Sequence, residues 1–524
     1  MKNHFTFLFA GLPLIAATVL ANPGSPAAPI YTPAIPKVWD DALIASLELP
    51  LAEAAYSPKH ISSEYYYRIP VHPIYKSYPV YHPRSEPAGY MEALRQCEPE
   101  IIWDDQGHQP ELKTEADWVR AGELIFDSPS GEDNNGRIAV SDSKEEYLRD
   151  AGWYERTGTQ VTPEGIVPAY RYVIREKGKV EIGTLSCATC HTRIMPDGAV
   201  IKGAQGNFPF ARAFAEDYRS SPALLPVNRA LERMLYRSPW LPDPQAAQAG
   251  LTSEEIAATM AVIPPGVIAR HRLRTEQPVQ VPDLIGVQSR RYLDRSGLVR
   301  QRGIGDLMRY AALNQGADFL ARFGEWVPLT EMLQGHPVPA NPHEAPPGVL
   351  QRYSDEQLYA LARYVYSLKP PANPHAFDAQ AKRGQTVFET EGCAKCHDPR
   401  QGFTNNKLIA APGFNVPADH PERAYIMNRR VGTDAAMTLT TNRGTGFYKV
   451  PSLLGLWYRG PFEHNGSVAT LEDWFDPRRL EDSYVPTGWK GPLGTTTRAV
   501  KGHEFGLDLS PDEVTALIAY LKTL

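Results

Sequence analysis

Two short stretches bring together residues whose types and spacing can do chemistry: Cys187-Ala188-Thr189-Cys190-His191 and, much later, Cys393-Ala394-Lys395-Cys396-His397. In each, two thiols stand three positions apart and an imidazole follows the second, the spacing that attaches a c-type haem and supplies its proximal iron ligand. Two thioether bonds pin one edge of the porphyrin against a single helical turn. The next residue is thereby carried beneath the iron, where a neutral imidazole nitrogen binds it. The expected cofactors are two covalently bound haem c groups, held by Cys187, Cys190, His191, Cys393, Cys396 and His397. A shared four-cysteine zinc site would ignore both histidines. A thioredoxin-like redox pair would need a buried strand opening a βαβ pattern, which neither copy shows.

Something must hold each motif, and the chain repeats itself around them. Arg120-Ala121-Gly122-Glu123-Leu124-Ile125-Phe126 precedes the first and Arg383-Gly384-Gln385-Thr386-Val387-Phe388 the second; Val281-Pro282-Asp283-Leu284 and Val450-Pro451-Ser452-Leu453 follow them. Each half closes on a predicted amphipathic helix, from Glu356 to Leu368 and from Asp512 to Leu524. There Ala360, Leu361, Tyr364 and Leu368 match Ala516, Leu517, Tyr520 and Leu524 at spacings that share one helical face. Pro370-Pro371 breaks the chain between the halves. The expected fold is mainly α: two cytochrome c-like haem domains in tandem, 118–374 with the catalytic haem and 375–524 with the electron-transfer haem, joined by long irregular loops. Residues 22–117 form a Pro/Tyr-rich extension without helical or alternating period, expected to wrap over the haem domains. Its His60, His72, His82 and His108 are expected on the surface, and Cys97, the one thiol outside the motifs, as a quiet core residue.

With 524 residues, 42% hydrophobic and 22% charged, the chain is long enough for two or three ordinary globular domains. A net charge of -6 without a long Lys/Arg block leaves nucleic-acid binding unsupported. Lys2, an apolar run from Phe5 to Leu20 and small residues ending at Ala21 read as a secretory signal over residues 1–21. The run is shorter than the ~20 residues that a span needs, so no stable membrane insertion is expected. Export and haem attachment together point to a periplasm.

The order of Leu124-Ile125-Phe126-Asp127, haem motif, Val-Pro-x-Leu, second haem motif and Gly460-Pro461-Phe462-Glu463-His464-Asn465-Gly466-Ser467 resembles the bacterial diheme cytochrome c peroxidase superfamily over residues 118–524. That superfamily also holds the diheme enzyme that matures methylamine dehydrogenase and the diheme rubber oxygenases. The inserted Arg171-Tyr172-Val173-Ile174 before Cys187 is closer to the rubber-oxygenase branch. The resemblance implies a redox enzyme that binds O2 or hydrogen peroxide at the first haem. Its second haem takes part in electron transfer, and a small cytochrome or cupredoxin is a possible donor.

Family peroxidases place a second axial ligand, a Met, just before the C-terminal helix. The corresponding stretch here, Val500 to Leu509, has no Met, and His503 is the expected ligand, so that His191, His397 and His503 bind iron. His464 is its rival, with Met427 and Met437 behind it. At the first haem, the typical distal histidine is replaced by Gly206-Asn207-Phe208-Pro209-Phe210, and no histidine stands between His191 and His271. Phe208 and Phe210 are then an apolar wall beside an open iron position, and His191, Phe208 and Phe210 form the expected catalytic set. A distant His or Met capping this iron is the alternative. The family's bridging Trp is replaced near Arg291-Tyr292, leaving Tyr292 or Trp326 to pass electrons. Amides at Asn314 and Gln315 stand where the acid-base Glu belongs, with Asp306 or Asp318 as possible substitutes. Arg459 takes a position that would otherwise ligate calcium between the domains. Three functions stay open: oxygenase or oxidase, peroxide reductase, and two-haem electron carrier.

Overall fold

The structure, a computed structural model, describes residues 30–109, 111–129, 147–183, 185–226, 249–270, 274–328, 351–484 and 501–524, with isolated positions between 227 and 248. The signal-like run 1–21 and His271 lie outside the described residues.

Each half is built on one pair of crossing helices. Helix Glu115–Asp127 starts at a capping box in which Thr114 and Asp117 satisfy each other's backbone N–H groups. It buries Trp118, Ala121, Gly122 and Ile125, a stripe at three- and four-residue spacing. That stripe packs on helix Asp355–Ser367, capped by Ser354 and Gln357. Where the two cross, a Cβ on Gly122 would overlap the carbonyl of Ala360. The second half repeats the device. Helix Ala379–Thr390 crosses helix Pro511–Lys522, and a Cβ on Gly384 would overlap the carbonyl of Ala516. The observed closing helices start one residue before the predicted ones.

Among the described residues the architecture mixes helix with strand, 36% and 14%, so that helix is the larger part of the regular structure. The segment before the first haem motif, Ile166–Glu176, is the centre of a three-stranded antiparallel sheet between Ser77–Tyr81 and Lys179–Gly183. Its Val, Ile and Tyr residues suit a pleated surface. Tyr172 and Ile174 join Val80, Trp153 and Tyr154 in a core of their own. In the second half, Leu408–Ala410 lies between Ile426–Met427 and Phe447–Lys449.

The extension is embedded in the first half. Val38, Trp39, Leu47, Tyr65 and Tyr66 belong to the same core as Phe126, Leu358 and Leu361. Trp39 stacks on Tyr66 at 4.4 Å, and the Tyr67 hydroxyl donates to Asp355 at 3.0 Å. Against expectation, His72 is buried and the side chain of His60 is covered: His60 is 2.7 Å from Glu48, and His72 is 2.9 Å from the Gln351 amide oxygen. Apolar residues elsewhere in the extension carry both inward. Among the described residues, no helix is long and apolar enough to cross a membrane.

Candidate haem sites

The first motif forms one helical turn, Cys187–Cys190, opened by a capping box between Ser186 and Thr189. Thr189 also donates its hydroxyl to the Ala169 carbonyl at 3.1 Å, fastening the turn to the central strand of the sheet. His191 ends the turn, and its Nδ1 lies 2.9 Å from the carbonyl of Pro282. A carbonyl only accepts, so Nδ1 carries the proton and Nε2 keeps its lone pair, the tautomer a metal needs. Desolvation pushes the His191 pKa down to about 4, keeping the ring neutral. Burial, reinforced by Asp127, pushes the Cys187 thiol up to about 12. The Val-Pro-x-Leu repeat thus has a role that its spacing did not reveal: in the first half its proline carbonyl orients the motif histidine.

The second motif is a shorter turn, Cys393–Lys395, and the Nδ1 of His397 lies 3.1 Å from the carbonyl of Phe403. Desolvation, with His503 adding to it, pushes this histidine also down to about 4. Cys393, Cys396 and His397 line a cavity of about 240 Å³ walled by apolar side chains such as Phe388, Leu456, Leu471 and Leu517. Across it stands His503, with ring centroids 6.4 Å apart. Imidazole nitrogens bind a first-row metal at about 2 Å and each ring centroid lies roughly 1 Å farther back, so two rings axial to one ion stand about 6 Å apart. Nδ1 of His503 is buried without a hydrogen-bond partner. The donor set therefore fits a haem iron between two imidazoles.

The chain invests several interactions in His503. Its backbone is left-handed, with φ 50°, and its N–H donates to the Val431 carbonyl at 2.6 Å. The preceding Gly502, at φ 90°, lies so close to Val431 and Gly432 that a Cβ would overlap them. Arg479, 1% exposed, donates to the carbonyls of Gly502 and His503 at 2.9 and 2.7 Å. Trp474 and Phe505 meet the ring edge-on at 5.1 and 5.2 Å.

His464 lines the same cavity in a different setting. It stacks on Tyr448 at 4.8 Å, with Glu463 at 3.6 Å and Asp434 at 3.5 Å from its two nitrogens. Desolvation lowers its pKa, but the two carboxylates outweigh this and hold it above the ordinary value. A ring that neighbouring carboxylates favour in its charged form is a poorer iron ligand, because a metal must displace that proton. Met437 packs with Ala411 and Tyr448, and Met427 accepts from the Asn405 amide at 3.2 Å.

The first site is organised differently. Among the described residues, no imidazole ring faces His191; its nitrogen contact is the Pro282 carbonyl. The ring of Phe208 meets Phe210 at 4.9 Å and Tyr170 at 5.7 Å, so these aromatics flank the strand on which the motif turn rests rather than stacking on His191. Asp306 is bound by Arg302 at 2.8 Å and Arg309 at 3.0 Å, and these contacts outweigh its desolvation and hold its pKa low. Asp318 is paired with Arg443 at 2.7 Å. Neither is free to exchange a proton as the missing glutamate would. Tyr292 is buried and donates to Glu422 at 2.5 Å, whereas Trp326 packs on Phe323 and Trp240 in the first core. Among the described residues, no three His, Cys, Asp or Glu side chains converge on a metal position.

No protein-family model matches the chain. It is similar to the methylamine utilization protein MauG of Paracoccus denitrificans, with 28% identity over 166 residues, 27% of this chain and 41% of that protein. It is also similar to an uncharacterized protein, y4iM, of Sinorhizobium fredii, with 26% identity over 185 residues, 30% of this chain and 40% of that one. The chain thus spans about two fifths of the length of these relatives. Among solved structures, a Kuenenia stuttgartiensis hydrazine synthase overlaps 57% of this chain and 87% of its own, with 14% identity and a TM-score of 0.26. A MauG-like protein associated with microbial copper homeostasis overlaps 32% and 56%, with 18% identity and a TM-score of 0.20. The similarity to MauG supports the diheme peroxidase superfamily that the motifs resemble.

Proposed function

We propose that the chain is a periplasmic diheme c-type oxidoreductase, with O2 or peroxide taken at a haem on His191 and electrons handled by a haem on His397. The observation that supports this division is the asymmetry between the sites. His397 has a second imidazole opposite it at 6.4 Å, and His191 has none among the described residues. Two strong axial ligands favour electron transfer, whereas an iron with one protein ligand keeps a face for an oxidant. When bound, each haem supplies redox chemistry; the protein's own side chains supply the selection between the two sites.

Those side chains act in separable ways. Pro282 holds the proton of His191 at Nδ1, which would leave the Nε2 lone pair available to a haem iron. Arg479 and Gly502 set the backbone from which His503 projects. Asp306 and Asp318, the two candidate substitutes for the family's glutamate, are held by arginines and so are not poised to relay a proton in peroxide cleavage. On this ground the favoured reading is oxygen activation in the manner of the diheme rubber oxygenases, on an apolar or phenolic substrate. Optical and EPR spectra of the oxidised protein provide the test. One high-spin and one low-spin haem are expected; two low-spin haems would leave only an electron carrier.

Hydrogen-peroxide reduction has one observation in its favour. His60 and Glu48 form a buried pair at 2.7 Å in which Glu48 raises the His60 pKa against desolvation. Such a pair can hold and return a proton. Efficient peroxide turnover lost in His60→Gln would move the assignment to a peroxidase.

A further inference from the structure

A second cavity, of about 60 Å³, lies between the two haem motifs. On one side is Pro282, whose carbonyl holds His191; on the other is Pro451, beside His397. Four cationic side chains line it: Arg290, Arg295, Lys449 and Arg459. Their hydrogen bonds go to neutral groups. Arg290 donates to the carbonyls of Asp283 and Ile285, Arg295 to the carbonyl and side-chain amide of Gln280, and Lys449 to the Tyr292 carbonyl at 3.2 Å. Arg459 donates to the carbonyls of Ser452 and Leu454 at 2.9 and 3.1 Å, and its Nε is buried without a partner.

Among the described residues, none of the four forms an ion pair. The one carboxylate lining the cavity, Asp283, accepts from the Ile285 N–H at 2.9 Å and the Tyr458 hydroxyl at 3.1 Å. Desolvation, with positive neighbours adding to it, pushes Lys449 down to about 7 and Arg295 to about 10, although Asp294 opposes it at both and Glu463 opposes it at Arg295. Several cations gathered in a desolvated place are costly unless anions accompany them. The arrangement calls for more than one negative charge, at a point reached from both sites.

A haem brings such charges. It carries two carboxylates on the edge opposite its thioether bonds, and two haems attached at Cys187/Cys190 and Cys393/Cys396 carry four. Resting on the two-haem reading above, we infer that Arg290, Arg295, Lys449 and Arg459 form a cationic cage that binds carboxylates of both haems and joins the two sites without a divalent cation. Guanidinium groups suit this task because their donors match carboxylate geometry.

The test uses the purified holoprotein. Its mass is measured first: fewer than two covalent haems would remove the two-haem reading and the cage with it. With both haems present, Lys449→Met takes one positive charge from beside the carboxylates and disfavours the reduced iron less well balanced by it. The expected result is a fall of about tenfold in the reduction equilibrium constant of at least one haem, 59 mV for one electron. The resonance Raman bands of the haem carboxylates shift with it. Lys449→Arg restores both readouts, and Arg459→Met serves as the second charge-removing variant. Retention of both haems with equilibrium constants within about twofold of the parent in both charge-removing variants overturns the cage. So does a change in the spectrum of the parent protein on adding calcium or EGTA.

Discussion

Arg479 donates to the carbonyl of His503 at 2.7 Å from a site that is only 1% exposed, and so holds in place the imidazole whose ring stands 6.4 Å from that of His397. Burying a guanidinium is costly, and carbonyl acceptors with an aromatic neighbour, Trp474, offset it here. The residue is a positioning group: it is not among the residues that line the cavity. Its contact fixes where His503 projects.

Replacing His503 by Ala is expected to convert the haem on His397 from low spin to high spin while the mass still shows two covalent haems. His464→Ala is expected to leave that haem low-spin, because Glu463 and Asp434 beside His464 hold its pKa above the ordinary value and so favour the ring's charged form. EPR of both variants decides between the histidines. The opposite pattern would reverse the ligand assignment.

Removing Arg479 leaves the carbonyls of Gly502 and His503 without their charged donor. Hydrogen bonds to charged groups are worth about 1.5–3 kcal/mol each, so Arg479→Ala should be among the more destabilising substitutions in urea titration. A positional role predicts more than lost stability. At temperatures where the variant is folded, its EPR signal should broaden or acquire a high-spin fraction, which a purely structural role would not produce.

Gly122→Ala and Gly384→Ala test whether the two helix crossings are equivalent. Each added Cβ meets a carbonyl of the partner helix, Ala360 or Ala516, and overpacking of this kind costs about 1–3 kcal/mol. Both variants should lose stability in urea by similar amounts. A neutral result at either position would show that its helices can move apart freely.

The pH dependence of stability should carry a contribution from His464. Its pKa is raised in the folded protein, so the stabilisation is complete below the unfolded value near 6.5 and is lost as pH rises through the folded value. Urea titrations from pH 6 to pH 9 should show a decline that His464→Gln removes in part. An unchanged slope would place the proton elsewhere.

Peroxide turnover with a reduced cytochrome donor should be slow, since a missing proton relay costs about 10²- to 10⁴-fold. Asp306→Asn should leave this rate nearly unchanged while lowering stability, because Asp306 serves Arg302 and Arg309. A second-order rate near ~10⁷ M⁻¹s⁻¹, well inside the efficient-enzyme range, would restore the peroxidase reading. Oxygen uptake with polyisoprene and with phenolic alkenes, measured on the same preparation, tests the favoured one.

What the sequence by itself determined is local. Two thiols and an imidazole at fixed spacing are placed by a single turn of backbone, so Cys187 to His191 and Cys393 to His397 were legible without a fold. The two closing helices were legible too, because Ala, Leu, Tyr and Leu repeat at helical spacing in both halves; that each crosses a second helix at a glycine came from the tertiary structure. The strand character of residues 166–176 was missed, since its alternation is blurred by burial on both faces. Tertiary structure alone decided the partners that depend on loop closure: Pro282 beneath His191, Arg479 behind His503, arginines on Asp306 and Asp318, and His60 carried inward beside Glu48. It also gathered four cations from different segments around one small cavity. Spacing along the chain limits only neighbours within a few residues; whether two distant side chains meet depends on how the whole core packs, and no local pattern records that.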